Sequence, residues 1–336
     1  MRISVALAVV LFAAFAGAAW GQWSVSGVQV KPFLEVGAPT GVSTPDAFRA
    51  MDAEVDMRLS LNHGGQEFAA FALEPVVATE MSGRGRQMHF SNYYGVFNFG
   101  VGKPKLRIGQ FIVPFGTLAE YDTHLMVLQT PYARTLGIRM DRGLELDALR
   151  AGMDLRLSVT SGDGRGRHDG GYAAVARAAR DYERGNDTFR LGLSALHGKN
   201  MPVLETMPDP LPMGEESAPL EWVSKDRLAA DLDWLHGRDN IRAELVAGWD
   251  DGRFVNGTWV LFNHPFSYKT DLTVQGDHWR QGSGSVVGVG AELRYRLDDV
   301  TDLRIAGEYR QGTTDEGTRH LSTLTVAWLR TFDLHF

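Results

Sequence analysis

The chain has 336 residues, 44% hydrophobic and 22% charged, with 34 lysines and arginines against 41 acids, a formal net charge of −7 and no cysteine. The missing thiol excludes a lipoprotein anchor, a thiolate metal site and a cysteine nucleophile, and with no basic block nucleic acid is not an expected partner. A mean hydropathy of −0.18 fits a soluble protein and a transmembrane β-barrel equally, because barrel strands give only alternate residues to lipid.

In chain order, the first element is an apolar run from Ile3 to Ala19 behind Arg2, with Ala19 and Gly21 at the −3 and −1 positions of a cut after Gly21. That layout predicts a secretory signal peptide over 1–21 and a mature chain over 22–336. The alternative, a membrane anchor, would sit at the lower limit of spanning length and has no charged stop after it.

Fourteen strand-length segments follow, roughly 23–35, 50–62, 66–78, 88–101, 105–114, 137–149, 153–161, 171–180, 188–197, 225–236, 241–250, 285–297, 302–311 and 322–336. Most alternate with period two. Met51, Ala53, Val55, Met57, Leu59 and Leu61 interleave with Asp52, Glu54, Asp56, Arg58 and Ser60. Val287, Val289, Ala291, Leu293 and Tyr295 interleave with Gly288, Gly290, Glu292, Arg294 and Arg296. In the last segment Leu324, Val326, Trp328, Phe332, Leu334 and Phe336 share a face broken only by Arg330. A strand with one greasy face shows this pattern, and a helix would scatter it. The weakest segments are 88–101, aromatic on both faces, and 171–180, mostly alanine.

The connections alternate too. Tight turns rich in glycine, asparagine and aspartate fall at 63–65, 102–104, 150–152, 184–187, 237–240 and 298–299, and longer stretches at 115–136, 198–224 and 251–284. Short turns on one rim and long loops on the other are the build of an outer-membrane barrel, the short side periplasmic. The segment 251–284 is read as a large external loop, like 198–224; the alternative is one more hairpin there. A soluble sandwich or solenoid fits less well: the segments match a tilted membrane span, soluble strands run to five or six residues, and no repeat of fixed period exists. The fold expected is all-β, a transmembrane antiparallel up-and-down β-barrel of about 14 strands, or 16 in the alternative.

On the face opposite the apolar one stand Glu54, Asp56 and Arg58, then Arg107, Arg139, Asp141 and Arg156. Arg294, Arg296 and Arg310 continue the set further on, and Glu120 and Asp122 lie in the 116–136 loop. These are the candidate pore-lining and constriction residues, since charges inside a water-filled pore set ion preference. The competing expectation is that neighbouring strands pair them into ladders that only solubilise the lumen. Arginine far outnumbers lysine on this face and its fork suits carboxylates and phosphates, but acids nearly balance bases and no ion preference follows.

Residues 106–122 (LRIGQFIVPFGTLAEYD), followed by 139–146 (RMDRGLEL), resemble the strand–loop–strand region of porins related to the phosphate-selective O and P group. The matches are Gly109, Gln110, Pro114, Phe115 and Gly116, then Arg139, Asp141, Arg142 and Gly143, across some forty residues. The resemblance implies a passive channel, often a homotrimer, with the loop 116–136 folding into the barrel to narrow it. That loop carries Glu120, Asp122 and Arg134 in place of a lysine or arginine cluster, so the channel carries over and phosphate selection does not. For barrels of this class, a last strand ending in an aromatic such as Phe336 implies recognition by the barrel-assembly machinery.

Independently of that resemblance, Pro114 suits a strand end, and Leu118, Leu125, Met126, Val127 and Leu128 make the following loop too apolar for open solvent. No HExxH, G-x-S-x-G or Walker A motif occurs. The oxygen-rich stretches 161–171 and 249–253 lack calcium-loop spacing and read as solvated turns. No cofactor or metal is expected. The partners expected are membrane lipid and small ionic solutes, and the leading expectation is a passive outer-membrane channel. The runner-up is a non-conducting barrel, serving as a scaffold or carrying a rim hydrolase.

Overall fold

A computed structural model describes residues 23–39, 49–63, 66–79, 86–118, 128, 131, 135–164, 170–204, 220–314, 317–331 and 334–335. The first strands are β1 (Trp23–Pro39), β2 (Arg49–His63), β3 (Gln66–Thr79), β4 (Arg86–Asn98), β5 (Lys105–Ile112), β6 (Met140–Arg150), β7 (Met153–Thr160) and β8 (Tyr172–Arg184). They continue as β9 (Asp187–Leu204), β10 (Leu220–His236), β11 (Asp239–Asp250), β12 (Arg253–Pro265) and β13 (Thr270–Gln281). Then come β14 (Gly284–Arg296), β15 (Thr301–Thr314), β16 (Gly317–Thr331) and the two-residue β17 (Leu334–His335).

Each long strand pairs antiparallel with the next, and β1 also pairs with β16 from Phe33↔Thr331 to Pro39↔Thr325. The ladder thus returns to its own start, which is how an up-and-down sheet removes its edges. A strand such as β11, rising about 3.4 Å per residue and tilted about 40°, covers roughly 30 Å of height, enough to cross a hydrocarbon layer.

The two faces of the wall differ as the alternation requires. On β6, Leu144 and Leu146 are exposed outward while Asp141 and Glu145 are buried inward. On β14, Val287, Val289 and Leu293 point out while Val286 and Glu292 point in. Apolar outside and charged inside inverts the arrangement of a water-soluble protein and suits a wall between lipid and a wet lumen. Near the short-turn rim Trp234 faces out, stacked on Phe189 with centroids 5.6 Å apart, and further round Phe262, His264 and Phe266 form a run. Towards the other rim Trp249 meets Phe254 edge-on at 5.8 Å. Aromatic rings at both levels are the girdles expected at membrane interfaces.

The strand count is the higher of the two expected, and the stretch 251–284 is not an external loop: it forms β12 and β13. The reason it escaped the pattern is chemical. On β12 the inward residues are Val255, Trp259 and Leu261, all buried, while Asn256 and Thr258 lie on the outer face. The usual greasy-out, polar-in signature is lost there because the inner face packs on protein instead of water, leaving apolar residues on both faces. Asp251 (φ 47°) and Gly252 (φ 82°) make the tight turn into β12, with the two positive φ values that a type I′ hairpin demands. The stretch 198–224 is also shorter as a loop than expected, since β9 runs to Leu204 and β10 starts at Leu220. The weak segments 88–101 and 171–180 correspond to β4 and β8. The signal segment 1–21 and Phe336 lie outside the described residues.

Candidate functional site

β5 stops at Ile112, just before Pro114, which has no N–H to give the ladder. The stems of the following segment are tied together where Val113 N–H donates to the Arg139 carbonyl at 2.9 Å. The chain then turns into the lumen and lies on the inner wall. Val113, Phe115, Leu136 and Ile138 join the inward residues Val175, Leu196, Met201, Val246, Val255 and Trp279 in one buried cluster. Leu118 forms a second with Trp259 and Leu261. Each such side chain, fully buried, contributes about 1.5–3 kcal/mol relative to exposure.

Polar clamps fix both ends of the segment. At the leading end the Glu244 carboxylate on β11 accepts the backbone N–H groups of Thr117 (2.6 Å) and Leu118 (2.9 Å), and Ser194 Oγ accepts that of Gly116 (3.0 Å). Gly116 is obligatory here, because its φ is +60° and a Cβ would stand 2.2 Å from the Glu244 carboxylate. At the returning end Lys225 Nζ on β10 donates to the Leu136 carbonyl at 2.6 Å, and Arg227 Nε donates to that of Thr135 at 2.9 Å. Arg227 is in turn paired with Asp250 at 2.6 Å and lies over the Trp279 ring at 5.6 Å. Between the ends, Leu128 is buried against Gly290 of β14, where an added Cβ would come within 2.7 Å of it. β14 is nine places round a ring of sixteen from β5, so the segment reaches the far side of the lumen.

The wall on the other side keeps its charges. Arg58 on β2 pairs with Glu67 at 3.3 Å, and Arg107 on β5 pairs with Glu145 at 2.8 Å while lying over Tyr94. Arg156 pairs with Asp154 at 3.2 Å, Arg294 with Asp271 (Nε–Oδ2 2.7 Å) and Arg310 with Glu308 at 2.6 Å. Arg296 donates to the Tyr268 carbonyl at 3.1 Å. Two further ion pairs, the first of them on the clamped side, reach across an intervening strand over a glycine. Asp231 (β10) takes Arg177 (β8) in a bidentate pair at 2.5 and 2.8 Å above Gly192 of β9, and Asp277 (β13) meets Arg310 (β15) at 3.4 Å above Gly288 of β14. A Cβ at either glycine would stand 2.4 Å from the carboxylate it passes.

Of the residues expected from sequence, Arg58 and Arg107 share one recess, and Arg294, Arg296 and Arg310 lie on the β13–β15 wall. Arg139 sits at the loop stem. Glu54 and Asp56 lie in β2 opposite Phe33 and Lys31, and Glu120 and Asp122 fall outside the described residues. Asp141 needs correcting. It is fully buried and takes Ser161 Oγ, Gly162 N–H and Gly164 N–H, so it holds a turn together and does not face pore water. The clamp formed by Lys225, Arg227, Glu244 and Asp250 was missed as a unit. The inward parity of these positions was legible, but their partners are backbone atoms a hundred residues away.

No protein-family model matches the chain, and no curated protein does. Solved structures do. An anion-selective porin from Comamonas acidovorans superposes with a TM-score of 0.65 at 12% identity, covering 93% of this chain and 100% of the other. OmpT of Vibrio cholerae, described as outer-membrane expressed, gives 0.64 at 11%, covering 93% and 98%. The outer membrane channel DcaP of Acinetobacter baumannii gives 0.62 at 12%, again covering 93% and 98%. The likeness reaches porins and channels in general without singling out the phosphate-selective O and P group. At these identities it speaks for the fold alone: the chain has the architecture of an outer-membrane porin barrel.

Proposed function

We propose that this protein is a passive outer-membrane channel for small hydrophilic or charged solutes. The observation that carries the reading is the segment 113–139, clamped to the β8–β13 side of the lumen and reaching β14, which leaves a charged wall opposite. Water-filled lumens are where so many inward charges are tolerable, and a loop laid across such a lumen narrows it. In this reading Glu54, Asp56, Arg58, Arg107, Arg139, Arg156, Arg294, Arg296 and Arg310 face the passage, and Glu120 and Asp122 stand at its narrowest part. Residues 1–21 direct export, and the last strand, ending at Phe336, is the handle for the assembly machinery. A homotrimer is the assembly we favour, in keeping with the trimer form known for Vibrio cholerae OmpT. No catalytic role is assigned.

Planar-bilayer recording of the purified protein tests this. Stable ohmic steps are expected, and silence from a folded barrel would overturn the channel. Reversal potential in a salt gradient then gives ion preference, which Glu120→Gln with Asp122→Asn shifts towards anions. An unchanged potential would put the constriction elsewhere. The hydrolase alternative has one arrangement in its favour: Tyr172 Oη contacts His197 Nε2 at 2.8 Å, and His197 Nδ1 contacts Asp226 at 2.7 Å. All three are exposed and share the outer face of the wall, so Asp226→Asn separates the readings by leaving conductance intact.

A further inference from the structure

The lumen wall of β2–β6 encloses a recess of about 230 Å³ whose lining includes Ala70, Ala72, Tyr94 and Val96 among charged side chains. Small residues on β3 create it, because Ala70 and Ala72 stand where longer inward side chains would fill the space. The room suffices for about eight waters, hence for a solute with a similar number of heavy atoms.

The charges around it are uneven in one respect. Arg58 is engaged by Glu67 and Arg107 by Glu145. Lys105 and Asp147 also line the recess and are opposite each other in the β5–β6 register. Among the described residues neither side chain has a hydrogen bond or an ion pair. The other register neighbour of Asp147, Arg156 on β7, turns to Asp154 instead. The other charged side chains lining the recess are engaged with one another, so here one ammonium and one carboxylate stand opposite each other on neighbouring strands without a partner among the described residues.

A simple anion entering the recess gains Lys105 and meets Asp147, and a simple cation meets the reverse. A molecule carrying both charges satisfies both. We propose that this recess is a weak binding subsite for small zwitterionic solutes, molecules bearing one carboxylate and one ammonium, on their way through the pore. The solute carboxylate turns to Lys105, with Arg58 beside it, and the solute ammonium turns to Asp147. The proposal deepens the channel reading and rests on it for its purpose, though the subsite can be tested without it.

The experiment uses the full mature protein and glycylglycine as probe, with acetate and ethylammonium at equal ionic strength as single-charge controls. In bilayers, glycylglycine produces a saturable fall in conductance and the controls do not. Lys105→Asp and Asp147→Lys each weaken half-saturation about three- to fivefold, as expected for exposed charge pairs. The double swap restores it, because the two ends of the probe then find the same two charges in exchanged places. Ala72→Leu fills the recess, leaves every charge in place and abolishes saturation. Saturation-transfer NMR on the probe's own protons, with detergent-solubilised protein, reads the same subsite if the barrel does not conduct, so failure of the channel and failure of the subsite are separate results. Equal effects of acetate and glycylglycine, or no probe signal by either method from folded protein, would overturn the proposal.

Discussion

Removing the Glu244 carboxylate should loosen the lumen segment while leaving the barrel standing. Glu244 is 1% exposed and accepts two backbone N–H groups, from Thr117 and Leu118. In Glu244→Ala both lose their acceptor, at a cost of about 1–3 kcal/mol each when they stay buried. Relief from burying the carboxylate offsets part of this, so a net loss of about 2 kcal/mol is a fair expectation. That raises the population of a displaced leading end about 30-fold. The returning end, held by Lys225 and Arg227, and the apolar clusters keep the rest in place. The strand ladders do not involve the Glu244 side chain, so the barrel persists. Glu244→Gln retains a carbonyl oxygen for the same two donors and should behave far more like the parent. The assay is single-channel recording with gel mobility before and after heating as the check on folding. The alanine variant should show larger mean conductance and frequent excursions, and the glutamine variant should not. Parent-like noise and conductance in a folded Glu244→Ala barrel would refute the clamp.

Three further outcomes follow from the same geometry. Asp231→Ala strands the buried Arg177 guanidinium and should cost about 3–5 kcal/mol in denaturant unfolding, whereas Arg177→Met with Asp231→Leu should recover most of it; equal stability of parent and single variant would refute the pair's role. Gly290→Val places methyl groups where Leu128 packs, so it should push the segment off the far wall and change unit conductance, with an unchanged value counting against contact there. Asp141→Asn should weaken the 161–164 turn and lower thermal stability without moving the reversal potential, and a shifted potential would return Asp141 to the pore-facing set.

Much of the wall was legible in the sequence because a strand's facing is decided by nearest neighbours. Leu144 and Leu146 flank Glu145, and Val287 and Val289 flank Gly288, so inside and outside could be read residue by residue. The tight turns at 151–152, 237–238 and 297–300 likewise announce themselves through glycine and aspartate. The pattern failed at β12, where Trp259 and Leu261 point inward. Their partner is Leu118, which a window of any practical length does not contain.

The site divides the same way. That Arg107, Glu145, Lys105 and Asp147 face inward follows from parity. That Arg107 takes Glu145 while Lys105 and Asp147 stay apart depends on the arrangement of side chains across neighbouring strands. By itself, then, the sequence determined a wall of alternating strands, its apolar and charged faces, and an apolar segment after Pro114 that had to be covered. Only the tertiary structure decided which wall covers it, which charges spend themselves on one another and which stay open to a solute. The physical reason is that facing is a local, period-two property of the backbone, whereas pairing is set by the register of a ring that joins residues far apart in the chain.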